Sequence, residues 1–393
     1  MTGKTAARVI AAVGCAAAFS NFVLASPVLA ETVKIGMITT LSGDGAALGV
    51  GVRDGFLLAV KEEGGKLGGI DVEVLIEDDA RKPDKAKQIA DKFMKRDGAK
   101  ILTGLIWSNL ALAVVPPAVR SGVFYISPNA GPSQLAGKLC HENHFNVSWQ
   151  NDNLPEAMGE YMKNKGFKRP FVISPNYPAG KDMARGFKRY FGDGIIKEAY
   201  TKLGAKDYAA EIAAIRELKP DSVFFFLPGG MGIAFVKQYA QSGLDIPLFG
   251  PSFSFDQGIL AAVGKAALGV LSTSQWSKDI DVPANRAFVA HFQKEYGRLP
   301  SLYASQGYDA ARLIASALKA AGGVDDADKF RAALKKADFE STRGDFRFNT
   351  NNFPIQTIYV RQVVEEDGVL TNKLVEIARK DHKDAYAGEC KMK

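Results

Sequence analysis

Several short polar residues follow directly on apolar runs of the chain: Ser42, Ser108, Asn129 and Ser252, with backbone N–H groups near Gly131. Hydroxyls, amides and backbone N–H groups of this kind can surround a carboxylate without covalent chemistry. Aromatic residues stand beside the same stretches: Trp107, Trp149, Tyr177, Phe253, Phe255 and Trp276. Rings supply apolar area and stacking for an aromatic or aliphatic body. The combination describes a pocket that holds a small organic acid and does nothing further to it.

The groups that catalysis would need are missing. There are four histidines. His141 and His144 form H-x-x-H next to Cys140, but no second cluster completes a zinc set. His291 lies on a charged helix and His382 in a polar tail. No G-x-G-x-x-G falls in register after the first strand: Ser42-Gly43-Asp44-Gly45 and Gly49-Val50-Gly51 both miss it. No G-x-x-x-x-G-K-[ST] or G-x-S-x-G occurs. Asp78, Asp79 and Asp84 lack the longer alternating set of oxygen ligands that a calcium loop needs and read as capping or solvated acids, Asp84 following Pro83 at a helix start. No cofactor, metal or catalytic role is expected. The formal charge is +7, and opposite charges alternate instead of forming a basic stripe, which argues against nucleic acid.

The elements that must position these residues alternate. Val33–Met37 and Val72–Ile76 read as strands around a helix from about Val50 to Glu63. Lys85–Arg96 is amphipathic, with Ile89 and Phe93 inward. Lys100–Leu105 and Val123–Ile126 are further strands, separated by a helix from about Leu110 to Arg120. After Trp149 the rhythm restarts. Helices are expected at Leu154–Asn164, Lys181–Phe191, Tyr208–Leu218 and Met231–Gln241, and strands at Pro170–Ser174, Gly194–Tyr200, Ser222–Leu227 and Leu248–Gly250. Helices at Pro283–Tyr296, Ser305–Ala320 and Asp325–Ala337 follow, then late strands at Gly344–Phe348, Gln356–Val364 and Leu370–Ile377. This is the signature of two α/β units in series whose strand ends deliver loops to a crevice.

Residues 1–30 read as a secretory signal peptide: Lys4 and Arg8, an uncharged run from Val9 to Leu24, and a small-residue Val28-x-Ala30 end. Removing the two cations lowers the formal charge from +7 to +5. Cys140 and Cys390 then remain. A disulfide between them would tie the tail to the middle of the chain, with two isolated thiols as the alternative.

The stretches VKIGMITTLSG, GVGVRDGFLLAVKEEGG, DDARKPDKA, YISPNAGPS and NYPAGKDMARGF, in this order, resemble the periplasmic leucine/isoleucine/valine-binding protein family. These are type I solute-binding proteins of ABC transporters. The resemblance covers the mature chain. It implies an α/β fold of two Rossmann-like lobes, joined by three crossovers with a hinge and an interlobe ligand cleft. Lobe 1 would be 31–149 plus 276–354, and lobe 2 would be 150–275 plus 355–393. It implies a periplasmic location, ABC permease partners and no enzymatic activity. Ser108, Asn129 and Gly131, with Ala130 between, resemble the lobe-1 positions that bind a ligand's carboxylate and amino group. Tyr177 resembles the tyrosine that closes from lobe 2. Amino-acid binders of the family usually place a carboxylate where Ser252 stands, and often tyrosines at Leu48 and near Gly229. Their absence favours an aromatic carboxylate (benzoate-like, phenylpropanoid or aryl keto acid) over a branched-chain amino acid. Asp256 is a substitute counter-charge if its loop reaches inward. An exported enzyme or solute sensor on this fold is a more distant alternative. The candidate ligand site is therefore Ser42, Leu48, Trp107, Ser108, Asn129, Ala130, Gly131, Tyr177, Gly229, Ser252, Phe253 and Trp276.

Overall fold

The computed structural model describes residues 1–7 and 32–392, so most of the expected signal peptide lies outside the described residues. The apolar runs Ile101–Thr103, Phe124–Ser127, Pro170–Pro175, Ser222–Phe225 and Leu248–Pro251 form strands buried on both faces, which is what a parallel sheet covered by helices requires. Six strands build the first sheet: Val33–Thr39 (β1), Lys66–Leu67 (β2), Ile70–Asp78 (β3), Ile101–Thr103 (β4), Phe124–Ser127 (β5) and His144–Asn146 (β6). Their order is β2-β3-β1-β4-β5-β6. All neighbours are parallel except the β2–β3 hairpin.

Eight strands build the second sheet. They are Pro170–Pro175 (β7), Lys197–Thr201 (β8), Ser222–Phe225 (β9), Leu248–Pro251 (β10), Leu271–Ser274 (β11), Arg347–Phe348 (β12), Pro354–Glu366 (β13) and Val369–His382 (β14). The order is β12-β13-β11-β10-β9-β7-β8, with β14 added on β13. The strands from β7 to β11 are parallel, and β13 pairs antiparallel with β11, β12 and β14.

Each sheet has a switch point where neighbouring strands send their connections to opposite sides: between β1 and β4 in the first, and between β7 and β9 in the second. Ligand crevices open at such points, beyond the strand C-termini.

The helix Leu302–Ala321 completes the first lobe by packing on the helix Ala46–Glu62. The approach is close: a methyl group on Gly55 would lie 1.9 Å from the Ala304 carbonyl oxygen. The crossovers between the lobes are tied together by Arg343, a buried guanidinium that donates to the carbonyls of Val147 and Ser148, to Gln356 Oε1 and to Asp309. After β14 the tail turns back across the junction. Tyr386 Oη donates to Asp152 Oδ2 at 2.7 Å, Asn351 Nδ2 donates to Asp384, and Cys390 is disulfide-bonded to Cys140. His144 is buried between Tyr125 and Phe353, and among the described residues neither of its ring nitrogens has a hydrogen-bond partner.

Three strands escape the sequence reading. β2, β6 and β11 carry KL, HFN and LSTS, too short or too polar to read as apolar runs. They form because their backbones complete ladders with β3, with β5, and with β10 and β13.

Candidate functional site

The two switch points face each other across a narrow, nearly filled cavity of about 20 Å³. From the first lobe, the loop after β4 brings Ile106 and Trp107, and the helix Ser108–Arg120 begins at once with Ser108. The loop after β5 brings Asn129 and Ala130. From the second lobe, the loop after β7 brings Tyr177, and the loop after β9 brings Phe226 and Pro228. Phe253 enters after β10.

Each ring is held by a specific partner. Trp107 Nε1 donates to Thr40 Oγ1 at 2.9 Å, and Thr40 Oγ1 donates to Asp79 Oδ1 at 2.7 Å. Tyr177 faces Trp107 at 6.2 Å between centroids and is stacked on Phe226 at 6.4 Å. Phe253 contacts Trp149 at 4.8 Å and Phe226 at 5.4 Å. Burial pushes the Tyr177 phenol well above its ordinary pKa, with the negative charge of Asp182 adding to the effect. Asn129 Nδ2 donates to the Ile106 carbonyl at 2.6 Å. Among the described residues Asn129 Oδ1 and Trp149 Nε1 are buried polar atoms without partners, and each costs free energy unless a ligand satisfies it.

Of the twelve residues expected at the site, seven line this cavity: Leu48, Trp107, Ser108, Asn129, Ala130, Tyr177 and Phe253. The other five lie off it. Ser42 is exposed and donates to Asp78 Oδ2 at 2.6 Å, so the acid at the end of β3 takes its hydroxyl. Gly131 packs against the crossover: its carbonyl accepts from Asn151 N at 2.8 Å, and a methyl there would lie 2.0 Å from the Trp149 carbonyl oxygen. Gly229 caps the helix Gly230–Gln241 and sits behind Leu48. Ser252 Oγ donates to the Thr273 carbonyl at 3.0 Å, which turns it into the second sheet. Trp276 is a core residue: its Nε1 donates to Asn285 Oδ1 at 2.8 Å and its ring meets Phe288 edge-on.

Asp256 does not reach the cavity either. It caps the helix Gln257–Val263 through Gly258 N and accepts from Leu302 N at 2.9 Å. Its carboxylate thereby anchors the helix that carries Tyr303, another wall residue. Asp78 and Asp79 bind the loop amides of Leu41, Ala80 and Arg81, as capping acids do.

The sequence reading missed Tyr303, Met183, Asn151, Ala179, Phe226, Pro228 and Ile106, and left Trp149 out of its site. Tyr303 and Met183 sit on helices and carry no strand-end signal. Asn151 lies in the polar run Gln150-Asn151-Asp152-Asn153 at the first crossover, which is a usable clue.

The wall has two electrostatic properties. It contains no ionisable acid or base other than phenols. It is also built from helix starts: Leu48, Ser108, Ala179 and Tyr303 each lie in the first turn of a separate helix. Helix N-termini carry partial positive charge and unpaired N–H groups, so they favour an anion. At the helix of Tyr303 the Leu302 and Ala304 amides are already taken by Asp256 and Ser301, which leaves the other three.

Residues 32–368 match the periplasmic binding protein family model. A Leu/Ile/Val-binding protein homologue of Brucella melitensis is 30% identical over 368 residues, 91% of this chain and 94% of that one. A solute-binding protein of an ABC transporter from R. palustris, solved in complex with benzoate, is 34% identical with a TM-score of 0.87, covering 92% of this chain and 100% of that one. A second, from Rhodopseudomonas palustris in complex with 3,4-dihydroxybenzoic acid, is 31% identical with a TM-score of 0.85, covering 90% and 99%. The two lobes, their facing switch points and these matches agree: the chain belongs to the periplasmic binding protein family, whose members here are ABC-transporter solute-binding proteins and not enzymes.

Proposed function

We propose that this protein captures a small aromatic carboxylate between its lobes in the periplasm and presents it to the permease of an ABC importer. The observation that carries this reading is the wall itself: three uncapped helix starts, a set of rings, and no carboxylate. An aromatic acid needs its anion held and its ring covered, and both needs are met by neutral donors and stacking. An amino acid also brings an ammonium group. Burying that group without a counter-charge is costly, and the candidate acids Asp182 and Asp256 are already engaged by other donors. The relatives solved with benzoate and 3,4-dihydroxybenzoic acid support the same class.

A branched-chain amino acid is the second reading. It is favoured by the name of the Brucella relative and by the unpartnered Asn129 Oδ1, which could accept from an ammonium group. Thermal shift of the mature protein separates the two. Benzoate at about one hundred times its Kd should stabilise the fold by about 2.7 kcal/mol, and leucine should not. A response to leucine with none to benzoate, cinnamate or an aryl keto acid refutes the aromatic reading.

A further inference from the structure

Ser108 sits at one end of a hydrogen-bond chain that crosses the cleft. Asn151 Nδ2 donates to Ser108 Oγ at 3.1 Å and to Asp182 Oδ2 at 3.0 Å. Asp182, on the second-lobe helix Pro178–Phe191, also accepts from Ser133 N at 3.0 Å and Ser133 Oγ at 2.9 Å, and it pairs with Arg185. Ser133 belongs to the first lobe. Ser108, Asn151 and Asp182 are each 2% exposed.

The direction of this chain is set by chemistry. A carboxylate only accepts, so Asn151 must turn its NH₂ group toward Asp182. The same NH₂ then donates to Ser108 Oγ. Ser108 therefore acts as an acceptor toward Asn151, and its own O–H is left to donate elsewhere. Among the described residues it has no protein acceptor, and Ser108 lines the cavity.

We propose that Asn151 is a positioning residue that aims the Ser108 hydroxyl at the ligand carboxylate, and that Asp182 locks this arrangement only when the lobes are together. The ligand part of the proposal rests on the aromatic-acid reading above. Asp182 holds Ser133 across the cleft with the same carboxylate that orients Asn151. At the start of the helix that carries Asp182, Tyr177 and Ala179 line the cavity. Donor orientation and closure thus depend on one side chain.

A double-mutant cycle tests the positioning role. Ser108→Ala and Asn151→Ala should each weaken benzoate binding by about tenfold or more, as expected for a hydrogen bond to a charged group. The double variant should be no weaker than Ser108→Ala alone. Losses that simply add would overturn the role of Asn151. Hydrogen exchange at the Ser133 amide, measured without ligand, tests the lock. Asp182→Asn and Asn151→Ala should both speed it, and Ser133→Ala, which removes only the hydroxyl contact, serves as a milder variant in which residue 133 should also exchange faster. Unchanged exchange in all three would overturn the lock. If wild-type protein ignores benzoate, the ligand reading falls, and the exchange data still decide whether Asp182 and Asn151 hold the lobes.

Discussion

Trp107 and Tyr177 meet across the cleft from opposite lobes, 6.2 Å between ring centroids with planes inclined at 56°. Each ring is therefore covered in part by a lobe other than its own. Tyr177 is the N-cap residue of its helix, so its position depends on where that helix starts. Tyr177→Ala should weaken benzoate binding by roughly 2 kcal/mol, in the range of a buried aromatic anchor. Tyr177→Phe, which keeps the ring, should lose far less. Calorimetric titration of both variants checks this, and equal losses would show that the ring is not what matters.

Gly229 has φ +64° and ψ −134°, a backbone conformation open in practice only to glycine. A methyl there would lie 2.9 Å from the Asp44 carbonyl oxygen and 3.3 Å from Leu48 Cδ1, both in the other lobe. Gly229→Ala is expected to cost about 1–3 kcal/mol in backbone strain and to hold the lobes apart. Its benzoate off-rate should rise more than its melting temperature falls. A variant with wild-type dissociation kinetics contradicts this.

His144 gives the fold a pH dependence. Desolvation, with a smaller contribution from the charge of His141, lowers its pKa to about 3, against about 6.5 for an unfolded histidine. Between those values the unfolded chain binds the extra proton. The group's contribution to stability is therefore complete above about pH 6.5 and is lost as pH falls toward 3. At pH 5 the loss is about 2 kcal/mol for this one group. Denaturant melts at pH 7.5 and pH 5 should show a smaller gap for His144→Phe than for wild type.

The Cys140–Cys390 bond closes a loop with a sequence separation of 250. Cys140→Ser with Cys390→Ser should lower stability by about 2–5 kcal/mol, because the unfolded chain regains that freedom. Neither cysteine lines the cavity, so benzoate affinity should stay within a few-fold of wild type at a temperature where both proteins are folded.

Much of this architecture can be read from residue order. The β1, β4, β5, β7 and β10 segments are apolar runs followed by short polar residues, and that ending is what marks a crevice loop. Trp107, Ser108, Asn129 and Tyr177 are legible in this way. Adjacency in sequence misleads where it is not adjacency in space. Trp276 follows a strand just as Trp107 does, but Asn285 and Phe288 draw it into the core. Ser252 precedes a wall residue and still points away, because the Thr273 carbonyl takes its hydroxyl. Tyr303 has no local signal at all. Its place depends on Asp256 capturing the amide of Leu302, a contact between residues 46 positions apart.

The helix starts around the cavity have a consequence for how the site meets a changing environment. Peptide dipoles do not titrate. A pocket that attracts its anion with lysine or histidine loses that attraction when the side chain gives up its proton, and a single substitution can abolish it. Here the polarity is shared among three backbone segments and persists wherever the fold persists. On the proposed aromatic-acid reading, the pH at which the protein stops collecting its ligand is then decided by the ligand's own carboxyl group.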